Sequence, residues 1–171
     1  MLNAIQTLID AGMTADAVEV VIENLLTNGE ENKGLILLAY LRQENAQYSP
    51  DDIEEVSDGC FEVGRAEYTV LTDADADKAA GEAIERDLWA FNATFLSYET
   101  DLPEEVFTAL QEKCEDANDT FRKLVDATCG IDRIVNQAIA CDGRGHFLSQ
   151  YDGEENEFRT AGGWFYIYRN N

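Results

Sequence analysis

Residues 60–72 read Cys60-Phe61-Glu62-Val63-Gly64-Arg65-Ala66-Glu67-Tyr68-Thr69-Val70-Leu71-Thr72, and here the chain changes its period. Upstream, apolar residues recur every three or four positions. From Cys60 they alternate, with Phe61, Val63, Tyr68, Val70 and Leu71 in a stretch rich in aromatic and β-branched side chains. Such alternation marks a strand with one buried face. Gly64-Arg65 is a turn candidate, so the stretch reads as one strand or a short hairpin. Strand chemistry set among helical segments gives an α+β fold that is predominantly helical.

Working back from Cys60, residues 1–47 read as helices. Leu2, Ile5, Leu8 and Ile9 form a short amphipathic segment ended by Gly12. Thr14 is placed to cap a second helix whose Val18, Val21, Ile22, Leu25 and Leu26 share a face, and Asn28-Gly29 stops it. Gly34 opens a third segment to Gln47, apolar nearly all round at first and therefore expected to be buried. Ser49-Pro50-Asp51-Asp52 reads as another helix start, with Pro in the first turn and acids at the positive dipole end.

Working forward, Thr72 and Asp75 have capping-box spacing, and the helix they open is expected to reach about Tyr98. From Leu102-Pro103 a longer helix is expected, with Phe107, Leu110, Cys114, Ala117, Phe121 and Leu124 on one stripe, ended by Gly130. A helix from Asp132 to Ala140 leads to a turn at Asp142-Gly143. The tail then reads as an antiparallel C-terminal hairpin, His146–Tyr151 and Trp164–Tyr168. A single domain over 1–171 is expected. Its weakest seam lies near 48–50, where a helical unit 1–47 would separate from an α+β unit 48–171.

The 171 residues are 45% apolar, enough for a core, and include 35 acidic against 12 basic side chains, a formal net charge of −23. That balance argues against direct binding of nucleic acid or anionic membrane, both of which need a basic footprint, and favours basic protein partners. The longest apolar run, Leu35–Leu41, is far shorter than the roughly 20 residues of a membrane span. Met1-Leu2-Asn3-Ala4-Ile5 carries no basic region leading into an apolar stretch, so a cytoplasmic location is expected. Spread evenly, the net charge amounts to one per roughly 365 Å² of folded surface. Duplex DNA carries about one per 107 Å². Imitating DNA would therefore require the carboxylates to cluster.

Motifs for catalysis or metal binding are weak. Asp73-x-Asp75-x-Asp77 has the opening of a calcium loop, but Lys78 stands where Gly is needed and Ile84 where Glu is needed. Cys141, Asp142 and His146 lie close in sequence, yet a nucleophilic triad needs convergence in space, and a turn into a strand explains the glycines between them. Cys60, Cys114, Cys129 and Cys141 form no close pair and are expected to be buried free thiols, with Cys114 on an apolar helix face. No nucleotide loop or nucleophile elbow occurs. No cofactor, metal or catalytic residue is assigned, and the chain is not expected to be an enzyme.

Clustering is best tested on the segment 103–127. At about 100° per residue, Glu105, Glu112, Glu115, Asp116, Asp119 and Asp126 fall within an arc of about 100° opposite the apolar stripe, over about 31 Å of axis. Asp16, Glu19 and Glu23 make a shorter row, and Glu154, Glu155 and Glu157 crowd the C-terminal turn. A solvated face explains such acids, but ordinary solvated helices mix their signs. The partner-binding candidates are therefore Glu105, Glu112, Glu115, Asp116, Asp119, Asp126, Glu154 and Glu155.

Four segments carry a resemblance. Tyr68–Asp77, Leu88–Leu96, Asp142–Glu155 and Phe165–Arg169 are similar to a group of uncharacterised small acidic proteins of bacteriophages and prophages, over about residues 60–171. The resemblance implies a phage or mobile-element origin and the cytoplasm of a bacterial host, and it implies no activity. By analogy with small acidic phage proteins that block host defence enzymes, the expected function is a non-enzymatic inhibitor of the anti-CRISPR or antirestriction type. It would bind a basic, nucleic-acid-binding host protein as a DNA mimic, itself a monomer or homodimer. The alternative is a structural or regulatory adaptor that docks through the Trp164–Tyr168 strand or the apolar Leu35–Leu41 run. A third is an enzyme built around His146 and Asp142.

Overall fold

In the computed structural model, which describes residues 1–29, 31–45 and 47–171, Leu35, Ile36, Leu37 and Leu38 are each 0% exposed. Four successive helical residues point in four directions, so a helix buried at all four is covered on every side. The chain supplies that cover. Helices α1 (Leu2–Asp10) and α2 (Ala15–Thr27) precede the buried helix α3 (Lys33–Glu44). Strands β1 (Ile53–Ser57), β2 (Cys60–Val63) and β3 (Ala66–Thr72) follow, then helices α4 (Asp73–Arg86), α5 (Ala93–Thr100), α6 (Glu104–Gln111), α7 (Asn118–Thr128) and α8 (Ile131–Leu148). Strands β4 (Asn156–Thr160) and β5 (Gly163–Arg169) close the described chain. The fold is α+β.

The chain divides into two compact units: Met1–Ala76 with Ser149–Asn171, and Asp77–Leu148. Neither boundary falls near 48–50. Residues 1–47 do not stand apart, because Ile5, Val18, Ile22, Leu35–Leu38 and Leu41 share one core with Phe61, Val63, Val70, Phe158, Phe165 and Ile167 of the strands.

In the first unit the five strands form one antiparallel sheet in the order β1-β2-β3-β5-β4. The hairpin option for 60–72 is the one realised, around the turn at Gly64-Arg65. Alternation sends Phe61, Val63, Val70, Phe165, Ile167 and Phe158 to the face that packs on α3. Asn32 caps α3, accepting from Leu35 N at 2.9 Å, and Thr14 caps α2, accepting from Ala17 N. Arg42, 7% exposed, ties α3 to α2 through Glu19 (2.9 Å) and to the following loop through Tyr48 O (2.7 Å).

Three expectations change here. Ser49 and Asp52 do form a capping box, but it opens a single 3-10 turn, Pro50–Asp52, before β1 begins. The strand Ile53-Glu54-Glu55-Val56-Ser57 has one buried residue, so the alternation that would have marked it is hidden among acids. His146–Tyr151 is not a strand: α8 runs through Leu148, crossing Gly143 at φ 77°, where a residue without a side chain accepts the kink. The partner of β5 is instead Asn156–Thr160.

The second unit is helical, around Ile84, Leu88, Leu96, Phe107, Phe121, Val125 and Ile134. The helix from Thr72 does not reach Tyr98. It stops at Arg86, a 3-10 turn covers Leu88–Ala90, and Asn92 caps α5 by accepting from Thr94 N at 2.8 Å. Among the described residues no helix is long and apolar enough to cross a membrane.

Two measurements check this packing. Gly59, in the β1–β2 turn at φ 76°, accepts a hydrogen bond from Val70 N through its carbonyl, and a Cβ there would lie 2.8 Å from Val70 O. Gly59→Ala should destabilise the chain by about 2 kcal/mol in chemical denaturation, combining left-handed strain with the clash. Asp152 accepts from Ser149 Oγ (2.7 Å) and Glu154 N (3.0 Å), which hold its carboxyl below the ordinary 3.8. A lowered carboxyl stabilises the fold above its ordinary pKa and loses that contribution as pH falls through the lower one. Asp152→Ala should therefore lower Tm near neutrality, and the deficit should shrink as the pH is taken below 3.8.

Candidate functional site

Acidic side chains in the second unit do not form the continuous row expected from the sequence. The segment 103–127 is not one helix. α6 ends at Gln111, Cys114 takes φ 51°, a 3-10 turn covers Cys114–Ala117, and α7 begins at Asn118. The 100° step that placed six carboxylates on one arc therefore fails at Cys114. Glu105 of α6 and Glu112, the residue just after it, do share one surface, where with Glu104, Thr108 and Ala109 they line a shallow groove of about 400 Å³. Glu115 and Asp116 lie on the 3-10 turn, and Asp119 and Asp126 on α7. All six are exposed. Arg122 reaches Glu85 at 2.7 Å.

Glu154 and Glu155 belong to the first unit and differ from each other. Glu154 is exposed, whereas half-buried Glu155 accepts a hydrogen bond from the hydroxyl of fully buried Tyr168. The latter carboxylate fastens β5 to the loop before β4.

The smaller motifs also have structural employment. Thr72 Oγ1 accepts from Asp75 N and donates to Asp75 Oδ2 (2.8 Å), so Thr72 caps α4 with the Asp75 carboxylate on its hydroxyl rather than on its backbone N–H as a full capping box has it, and Asp77 pairs with Arg144 at 2.8 Å. His146 is exposed and packs edge-on against Phe147, with centroids 5.0 Å apart. All four cysteines are free thiols, but none is fully buried: Cys60 and Cys129 are half-buried, and Cys114 and Cys141 are exposed, the former because the helix breaks there. Among the described residues no three His, Cys, Asp or Glu side chains converge as a metal site requires.

The surfaces named for an adaptor are occupied. β5 lies between β3 and β4, so both its edges are paired, and the Leu35–Leu41 run is the core of its own unit.

The strongest concentration of charge lies on the sheet. The first unit carries 20 acidic and five basic residues, net −15, against 15 and seven, net −8, in the second. Between 51 and 67 stand Asp51, Asp52, Glu54, Glu55, Asp58, Glu62 and Glu67, with Arg65 the one basic residue. Register brings three of them into line: Glu54 lies directly opposite Glu62, and Glu62 directly opposite Glu67. Directly opposed residues share a face, here the one turned away from α3, since Phe61 and Val63 on either side of Glu62 are buried against the helices. Strands sit about 4.8 Å apart, so the row holds a carboxylate at about that interval over three strands. Glu54 and Glu62 are exposed, while Glu67 is half-buried and receives Asn170 Nδ2 at 3.3 Å.

Like charges directly opposite one another weaken a sheet. Sequence reasoning passed over this row although half of it was available: a hairpin turning at Gly64-Arg65 sets 62 against 67. Glu54 was hidden because 49–52 reads as a helix start.

Comparison with models of known families, with curated proteins and with solved structures finds no match for this chain.

If the row is held against its own repulsion, neutralising its middle member should stabilise the fold. Glu62→Gln should gain about 0.5 kcal/mol at low ionic strength, and the gain should fade as salt is added. Denaturation at two salt concentrations measures both.

Proposed function

We propose that the protein is a non-enzymatic inhibitor that sets its acidic sheet face into the basic, nucleic-acid-binding cleft of a bacterial defence enzyme, of the restriction or CRISPR type. The observation that carries this reading is the Glu54–Glu62–Glu67 row. It is a line of glutamates in direct register across three strands, an arrangement expected to weaken a sheet, on the more highly charged of the two units. Its interval of about 4.8 Å is of the same order as the ~3.4 Å axial rise per phosphate of a DNA strand. A rigid strand ladder also holds its charges in place better than solvated helix side chains do, so less ordering is needed on binding. A phage or prophage origin, which the resemblance of Tyr68–Asp77 and Asp142–Glu155 implies, would suit such an inhibitor, acting in the cytoplasm of an infected cell.

Attraction between exposed charges is screened, so the complex should weaken steeply between about 0.05 and 0.5 M salt. The tagged protein, incubated with a bacterial lysate, should retain a nucleic-acid-binding enzyme at low salt and release it at high salt or on addition of duplex DNA. Reversing Glu54, Glu62 and Glu67 together to Lys should abolish capture while leaving the melting transition in place. A complex indifferent to salt and to this triple reversal would overturn the proposal.

A further inference from the structure

The far edge of the same sheet is built for a different contact. Among the described residues β4 pairs with β5 alone, so its other edge presents backbone groups without a strand partner there. Which residues present them follows from the parity of β5. Ile167 and Arg169 turn their carbonyls to the β4 side, where Asn156 Nδ2 (3.4 Å) and Tyr151 N (3.2 Å) reach them. Asn170 turns its N–H the other way, onto Glu67 O at 2.8 Å. Odd-numbered residues of β5 thus bond toward β4, and their partners there are Asn156, Phe158 and Thr160. The alternation of an antiparallel ladder leaves the N–H and C=O of Glu157 and Arg159 facing outward.

Alongside this edge runs a groove of about 470 Å³, between Glu23, Leu26 and Thr27 of α2 and Phe158–Ala161. Leu26 and Phe158, 8% and 9% exposed, give it an apolar floor, and the bond from Ala161 N to Leu26 O (3.3 Å) closes one end. The Arg159 guanidinium is drawn over the Trp164 ring, 5.5 Å from its centroid, and exposed Glu23 gives the groove an acidic wall. A strand edge beside a helix, over an apolar floor, is the arrangement by which extended peptides add to a sheet.

We infer that this groove receives an extended, basic peptide segment of a partner protein, which adds to β4 as a sixth strand. Its backbone meets Glu157 and Arg159, an apolar side chain covers Leu26 and Phe158, and a Lys or Arg faces Glu23. Charge selects the occupant. A second copy of this chain would bring its own Glu157 and another net −15 to the edge, whereas a basic strand meets its complement. The inference stands on the backbone of β4 and does not draw on the glutamate row.

The probe is the capped hexapeptide Lys-Val-Lys-Val-Lys-Val, with Glu-Val-Glu-Val-Glu-Val as control, titrated into the full chain at low salt and read by amide hydrogen exchange. The Lys peptide should slow exchange at Glu157 and Arg159 by about tenfold or more, and the Glu peptide should not. Arg159→Pro removes an outward donor at a position where an edge strand tolerates proline, so it should remain folded by thermal melt and lose the protection. Glu23→Lys, on an exposed helix position, should weaken the Lys peptide by about two- to fivefold. Protection that survives in a folded Arg159→Pro, that appears at β1 instead, or that fails to appear at all would overturn the inference. So would equal binding by parent and Glu23→Lys.

Discussion

The first unit depends on the need to cover α3. Leu35–Leu38 leave this helix no exposed side, so α1 and α2 must take part of its surface and the sheet the rest. Once one sheet face is committed to that task, the period of two in every strand commits the other face to whatever lies between the apolar residues. Between Phe61 and Val63 lies Glu62. The acidic row is thus positioned by a hydrophobic demand, and a one-residue slip in register would bury it. Gly59 fixes that register, because the turn it allows brings Val70 N onto its own carbonyl at 2.7 Å.

Hydrophobic burial and charge repulsion oppose each other in β1–β3. The strands bury Ile53, Phe61, Val63 and Val70, each contributing on the order of 2 kcal/mol, whereas a directly opposed like pair costs a few tenths to about 1. Burial wins comfortably, which is how a sheet can carry Glu54, Glu62 and Glu67 in line and still fold. A row so tolerated is available to a partner whose own charge is positive. The two edges of the sheet then differ in kind. β1 is flanked by carboxylates and irregular between Glu55 and Ser57, features that discourage strand addition, while β4 is regular and bordered by an apolar-floored groove.

Much of this architecture was legible where local signals agree. The hairpin over 60–72, the caps at Thr14 and Thr72, the stops at Gly12, Gly29 and Gly130, and the buried run from Leu35 all lie where the residues placed them. Legibility failed where one signal served two structures. Phe107, Leu110, Cys114, Ala117, Phe121 and Leu124 keep helical spacing across a break, and nothing local distinguishes a straight helix from two joined at a left-handed Cys114. His146-Phe147-Leu148 is equally apolar as a helix end or a strand. Asn156–Thr160 buries only Phe158 and Thr160, so as an edge strand it lacks the pattern that marks a central one. The candidate surface suffered most. Its helical version required the unbroken helix, and its sheet version required a cross-strand register that no single stretch of sequence contains.

Carboxylate footprinting of the captured complex, by carbodiimide coupling and mass spectrometry, reports most directly whether the sheet face is the working surface. In the free protein Glu54 and Glu62 should label readily. On binding, both should lose labelling together while Glu112, Asp119 and Asp126 keep theirs. Unchanged labelling of Glu54 and Glu62 in the complex, with protection confined to α6 and α7, would contradict the assignment.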